Sequence, residues 1–260
     1  MTDPVLLERD GAVAVITLNR PEARNALNIV LKTALVAAVS EAAADSAVRA
    51  VVLDANGPAF CVGQDLAEHA TQLAGGGGAA SAISTVREHY SPVVRSVMTM
   101  PKPVIVAVDG ACVGAGLGLA LAGDLRVFGP GAKLGTAFTG IGLTFDTGLS
   151  YTLPRSVGDA RARELILLPR MFGPQEAVSW GITGEIADDP RARAREIAGL
   201  IAQGPTTAYA ESKRLLLDVD ALESALEAEA VSQARSGAAQ DHRDAVEAFL
   251  ARRPPVFTGR

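Results

Sequence analysis

Apolar and polar residues follow two rhythms along this chain. Residues 12–18 are rich in β-branched side chains and run into Asn19-Arg20-Pro21, which predicts a strand ending in a turn. A helix is expected over 28–44, and residues 51–53 and 104–108 read as buried strands, each leading into a glycine-containing segment. This alternation predicts a largely parallel sheet covered by helices. Beyond residue 187 the pattern turns almost wholly helical, with stretches at 191–203, 206–217, 221–236 and 243–251. Such a tail either caps the core or packs on another subunit. The run Gly75 to Gly78, flanked by Ala and Ser, is expected to be a mobile surface loop bordering a cleft, because glycines are costly to fix in one conformation.

Composition narrows the choice. A chain of 260 residues with 48% hydrophobic content can bury one substantial core, so two full domains are not required. The balance of 24 basic against 29 acidic residues gives a net charge of −5 with no basic block, which argues against a nucleic-acid partner. No apolar run approaches the roughly 20 residues of a membrane span, and no signal segment is visible at the N-terminus, so a cytoplasmic protein is expected. Two scattered cysteines, Cys61 and Cys112, suit neither a disulfide framework nor a zinc site and read as reduced thiols.

The candidate chemistry begins where strand 104–108 enters Asp109-Gly110-Ala111-Cys112-Val113-Gly114-Ala115-Gly116-Leu117-Gly118 and then an apolar helix. Glycines there permit positive φ and close approach of a ligand to the backbone, while the first helical N–H groups favour developing negative charge. Tight packing of helix on strand would explain the same glycines. Spacing excludes a G-x-G-x-x-G dinucleotide turn, and no phosphate loop of the G-x-x-x-x-G-K-[ST] type occurs.

A second segment, Ala59-Phe60-Cys61-Val62-Gly63-Gln64-Asp65-Leu66, resembles the F-C-x-G-x-D-L stretch of the crotonase (enoyl-CoA hydratase/isomerase) family. Asn19-Arg20-Pro21-Glu22-Ala23-Arg24-Asn25-Ala26-Leu27 is similar to that family's CoA-contacting loop, and Pro101 to Ile105 and the ending 249–260 match further landmarks. The resemblance implies an α/β crotonase-like spiral of ββα units over 1–195, carrying the CoA-binding and active site, with a C-terminal helical oligomerisation region over 196–260. It also implies a homotrimer or dimer of trimers, an acyl-CoA substrate, and no metal or redox cofactor. The backbone N–H groups of Gln64 and Ala115 become the two oxyanion donors. Substrate contacts are implied at Arg24, Ala26 and Leu27, at Ala59, Val62, Gly63, Asp65 and Leu66, and at Gly114, Tyr90 and Phe138. Read alone, Arg24 would be a solvated turn arginine; in the matched loop it would meet the CoA phosphates or adenine. His89 is expected beside Tyr90 in the acyl pocket or on an exposed helix face, and His69 and His242 are expected to be solvated surface residues.

The reaction is less legible. Family hydratases use two glutamates to activate water and deliver a proton; the matched positions here are Gly118 and Phe138, neither of which takes a proton. One carboxylate remains, Asp146 in Gly142-Leu143-Thr144-Phe145-Asp146-Thr147-Gly148, a stretch resembling the branch that includes the ring-opening epoxyphenylacetyl-CoA isomerases. Asp146 could equally cap the helix that follows. As a single base it would suit a double-bond shift or ring-opening isomerisation through a thioester enolate, in fatty acid or phenylacetate metabolism. Hydration of a 2-enoyl-CoA and silent acyl-CoA binding are the competing expectations.

Overall fold

The computed structural model describes residues 3–75 and 84–260, so the expected loop lies outside the described residues save for Gly75. In chain order the elements begin β1 (Val5–Asp10), β2 (Val13–Leu18), α1 (Ile29–Ala44), β3 (Ala50–Ala55), β4 (Ala59–Cys61), α2 (Leu66–Ala74) and α3 (Ser91–Thr99). The middle of the chain supplies β5 (Val104–Val108), β6 (Ala111–Val113), α4 (Ala115–Ala122), β7 (Leu125–Phe128), β8 (Lys133–Gly135), α5 (Leu149–Val157), α6 (Asp159–Leu167), α7 (Pro174–Ser179) and β9 (Glu185–Ile186). Four helices complete it: α8 (Pro190–Ala202), α9 (Thr206–Leu216), α10 (Val219–Gly237) and α11 (Gln240–Leu250).

Two sheets form. The larger has the order β1-β2-β3-β5-β7-β9 and is parallel except for the β1–β2 pair; the smaller, β4-β6-β8, is wholly parallel. Successive strands therefore alternate between the two sheets, β3 then β4, β5 then β6, β7 then β8, winding the chain into a spiral. Burial on both faces of the larger sheet explains its continuous apolar strands. Along β2, Ala14, Ile16 and Leu18 join the main core while Val13 and Val15 face the opposite way, and Val51/Val52 and Val104/Ile105 split in the same manner. The second face is covered by α8, whose Ala194, Ala198 and Ala202 recur every four residues and let the helix lie close on Val52, Ile105 and Val127.

The C-terminal helices start and stop within a few residues of expectation. Residue 195 falls inside α8. In α10 the core face is Leu222, Leu226 and Ala230, and two polar residues, Glu229 and Gln233, share that face and are buried. Among the described residues no helix is long and apolar enough to cross a membrane.

Candidate active site

Parallel pairing of β4 with β6 sends both strands out at the same end of the smaller sheet, bringing Cys61 beside Cys112. The two exits stay in contact because glycine lines both. A Cβ on Gly63 would lie 3.5 Å from the Ala115 nitrogen, and one on Gly116 would lie 2.9 Å from Cys61 Cβ. Gly114 has φ +58°, a conformation that L side chains rarely adopt, and it directs Ala115 into the first turn of α4. Among the described residues no carbonyl accepts from the N–H of Gln64 or of Ala115, so two unengaged donors from distant segments flank one space.

That space is a cleft of about 550 Å³. Arg24, Ala26, Val62, Gly63, Gln64, Asp65, Leu66, Gly114, Ala115, Phe138 and Asp146 all line it, with Ile141, Leu143, Phe249 and Leu250. The last two belong to α11, so the cleft draws on the chain on both sides of residue 195. Three expected contacts stand behind its wall instead. Leu27 is buried, its N–H donating to Gly63 O (2.8 Å) and its carbonyl accepting from the Asp65 N–H (3.3 Å). The Ala59 carbonyl accepts from Asn25 Nδ2 at 2.9 Å, and Tyr90, delivered by a single π-helical turn over Val86–Tyr90, donates its hydroxyl to Gln64 Oε1. These residues brace the donors and do not meet the cleft.

The loop before α1 is fixed by Arg24 and Asn25, both left-handed at φ 53° and 55°. Asn25 is fully buried; its side chain accepts from Arg20 N (2.8 Å) and donates to Asn56 O (3.0 Å) as well as to Ala59 O. Arg24 is exposed at the cleft mouth. Asp65 caps α2 by accepting from the Ala67 and Glu68 amides and pairs with Arg20 at 2.6 Å. Burial pushes its carboxyl upward, but the Arg20 hydrogen bond and those amides outweigh this and hold it below the ordinary value.

Asp146 is the other carboxylate of the cleft, and it does not cap α5. Glu229 does so from across the fold, accepting from Gly148 N at 2.8 Å and Ser150 N at 2.7 Å. The Asp146 side chain, 6% exposed, accepts from Thr147 Oγ1 (3.1 Å) and Gln233 Nε2 (3.0 Å). Burial, reinforced by the nearby Glu229 carboxylate, raises it to about 7, while the two hydrogen bonds and Lys32 pull it down. Gln233 Oε1 has no partner, so a turn of its amide would offer an acceptor to the protonated acid.

The two hydratase positions are occupied otherwise. A Cβ on Gly118 would lie 2.5 Å from Thr147 Cβ and overlap its hydroxyl, so the Asp146–Thr147 loop fills the room a side chain would need. Phe138 packs edge-on against Phe145.

The expectation for His69 and His242 is overturned: both are buried, with their Nε2 atoms 2.8 Å apart. His242 Nδ1 lies 2.7 Å from the Ile141 carbonyl, which only accepts, so its Nε2 accepts in turn from His69. Burial, then His242 and Lys32, push His69 down to about 4. The pair ties α2 to α11 and thereby holds Phe249 and Leu250 at the cleft. Lys32, Thr147, Glu229 and Gln233 were not foreseen. Their signal was register: Lys32 sits between Leu31 and Leu35 on the core face of α1, and Glu229 and Gln233 recur with Leu222 and Leu226 on that of α10.

An unengaged amide pair at a glycine-lined strand exit and a buried acid thus share one apolar cleft on a spiral α/β fold. The chain belongs to the enoyl-CoA hydratase/isomerase family, whose profile matches residues 8–260. A 1,2-epoxyphenylacetyl-CoA isomerase of Escherichia coli is 34% identical over the full length of both chains. A Rhodobacter capsulatus relative named probable enoyl-CoA hydratase is 40% identical over 97% of each. Among solved structures, a candidate family member from Mycobacterium abscessus is 50% identical and superposes with a TM-score of 0.79, covering 98% of this chain and all of that one.

Proposed function

We propose that this enzyme isomerises acyl-CoA thioesters by moving a proton within the acyl group, with Asp146 as the single acid/base and the N–H groups of Gln64 and Ala115 as the oxyanion hole. The observation that carries the reading is Asp146 itself: of the two carboxylates in the cleft, Asp65 is engaged by Arg20, whereas Asp146 is buried, faces the cleft and titrates near neutrality. A base with that balance can both take and return a proton at physiological pH.

For a 3-enoyl-CoA, Asp146 removes a Cα proton and the electron pair becomes a dienolate whose charge rests on the thioester oxygen. The same carboxyl returns the proton to Cγ, the double bond moves from Cβ–Cγ to Cα–Cβ, and nothing is gained or lost. Each oxyanion donor contributes about 3 kcal/mol to such a step, and the base roughly 10²–10⁴-fold. Hydration needs a second proton-handling group, and Gly118 and Phe138 supply none. Phe138, Ile141 and Leu143 favour an apolar or aromatic acyl group, and the name of the E. coli relative suggests a ring-derived one from phenylacetate breakdown. Arg24 at the mouth suits the CoA phosphates. The reading draws on no metal or redox group, and exposed Leu167, Leu168 and Leu216 suit packing against further subunits as a trimer.

The test presents 2-enoyl- and 3-enoyl-CoA separately and follows mass. Interconversion without mass change is expected, with Asp146→Asn slower by at least about 100-fold. Gain of one water without isomerisation, or ligand binding without any turnover, would overturn the proposal.

A further inference from the structure

Lys32 carries an ammonium into the interior without an anion to meet it. It is 1% exposed, on the core face of α1 between Leu31 and Leu35. Among the described residues its ammonium makes one hydrogen bond, to Gln64 Oε1 at 3.2 Å, and enters no ion pair, and its Nζ stands 5.5 Å from the centre of the Tyr90 ring. Burying an unpaired charge is expensive, and methionine or leucine would fill the position without that penalty. Yet Lys32 lies where the chemistry does. The residue whose side chain it holds is the one whose N–H faces the thioester oxygen, and Asp146 is among the carboxylates whose fields reach it.

We infer that Lys32 is a positioning residue of the proton-transfer site: its buried ammonium, with the Tyr90 hydroxyl, clamps the Gln64 side chain so that the Gln64 N–H stays aimed at the thioester oxygen, and its charge favours the form of Asp146 that accepts the proton. This inference rests on the reading of Asp146 as the base. The charges around the pair come from several elements. Glu68 on α2, Asp146, Asp65 before α2 and Glu88 in the π-helical turn all favour the Lys32 cation. His69 and His89 face it as neutral rings, each pushed down by burial first and by Lys32 next among the charges of fixed sign. Around Asp146, Glu229 opposes ionisation and Lys32 favours it. Burial lowers Lys32 itself to about 8, so it is still mostly a cation at the pH where Asp146 is half-ionised.

The test is Lys32→Met in the full-length enzyme. Circular dichroism and thermal unfolding should show a fold as stable as the parent or more so, and an unreactive acyl-CoA thioether should bind within about twofold of the parent. Turnover of a 3-enoyl-CoA should fall at least about tenfold, and the acid limb of the kcat/KM profile should move upward, because the cation that favours ionised Asp146 is gone. In parallel, the Asp146 carboxyl is titrated by ¹³C NMR, assigned by its loss in Asp146→Asn, and it should hold its proton to higher pH in Lys32→Met. This second measurement needs no turnover, so absence of isomerisation in the parent enzyme would strike the functional reading alone. An Asp146 titration and a pH profile that are the same in parent and variant would overturn the role given to Lys32.

Discussion

Replacing Asp146 by Asn should stabilise the protein while disabling it, and the gain should depend on pH in a defined way. In the unfolded chain this carboxyl ionises from its ordinary value of 3.8, whereas in the native state it holds its proton to about 7. Between those limits the folded form binds the extra proton, so native stability falls as pH rises, by about 1.4 kcal/mol per pH unit. Above pH 7 the accumulated penalty is about 4 kcal/mol, which Asn escapes. Against this, an amide offers one acceptor where the carboxylate offers two, so the contact with Thr147 Oγ1 or Gln233 Nε2 is lost at about 1 kcal/mol. The net gain is about 3 kcal/mol at pH 8 and only about 0.7 kcal/mol at pH 5, where about 1.7 kcal/mol of the penalty has accumulated. Urea unfolding of both proteins at the two pH values measures the difference directly. A change in stability equal at pH 5 and pH 8, or a loss at pH 8, would refute the account of Asp146 as a buried acid held against ionisation.

Two further substitutions probe the surroundings of that acid. Gly118→Ala places a methyl group against Thr147; the loop must yield, with an expected loss of about 1–3 kcal/mol in thermal unfolding and a drop in turnover as Asp146 is displaced. Glu229→Gln removes the anion that opposes ionisation of Asp146, so the acid limb of the kcat/KM profile should move to lower pH, opposite in sign to the effect of Lys32→Met.

The strands, the helices and the glycine turns at the two strand exits were legible because each rests on local pattern: β-branched runs, Gly63 and Gly114, and the helical rhythm of the tail; the donor role of the Gln64 and Ala115 amides was implied by the family resemblance alone. Asp146 was visible as a candidate with two meanings: read alone it favoured a cap, and only the family resemblance favoured a base. What removes the capping role is Glu229, 81 residues from Gly148, arriving from another helix to fill it. Long-range partnerships of this kind leave only the faint sign of a polar residue at a core-facing register. The same holds for His69 and His242, 173 residues apart: either ring alone suits a solvated surface, and only their mutual hydrogen bond makes burial tolerable.

The attachment of Asp146 to Gln233 also bears on how the enzyme is born. The two are 87 residues apart, so at ~5–20 residues per second a ribosome needs roughly 4–17 s to add the second after the first. Throughout that interval the Asp146 carboxyl lacks the Gln233 amide from which it accepts in the folded chain. The surroundings of this buried acid are therefore completed by helices made late in synthesis, and a chain released early would leave its carboxyl without that partner.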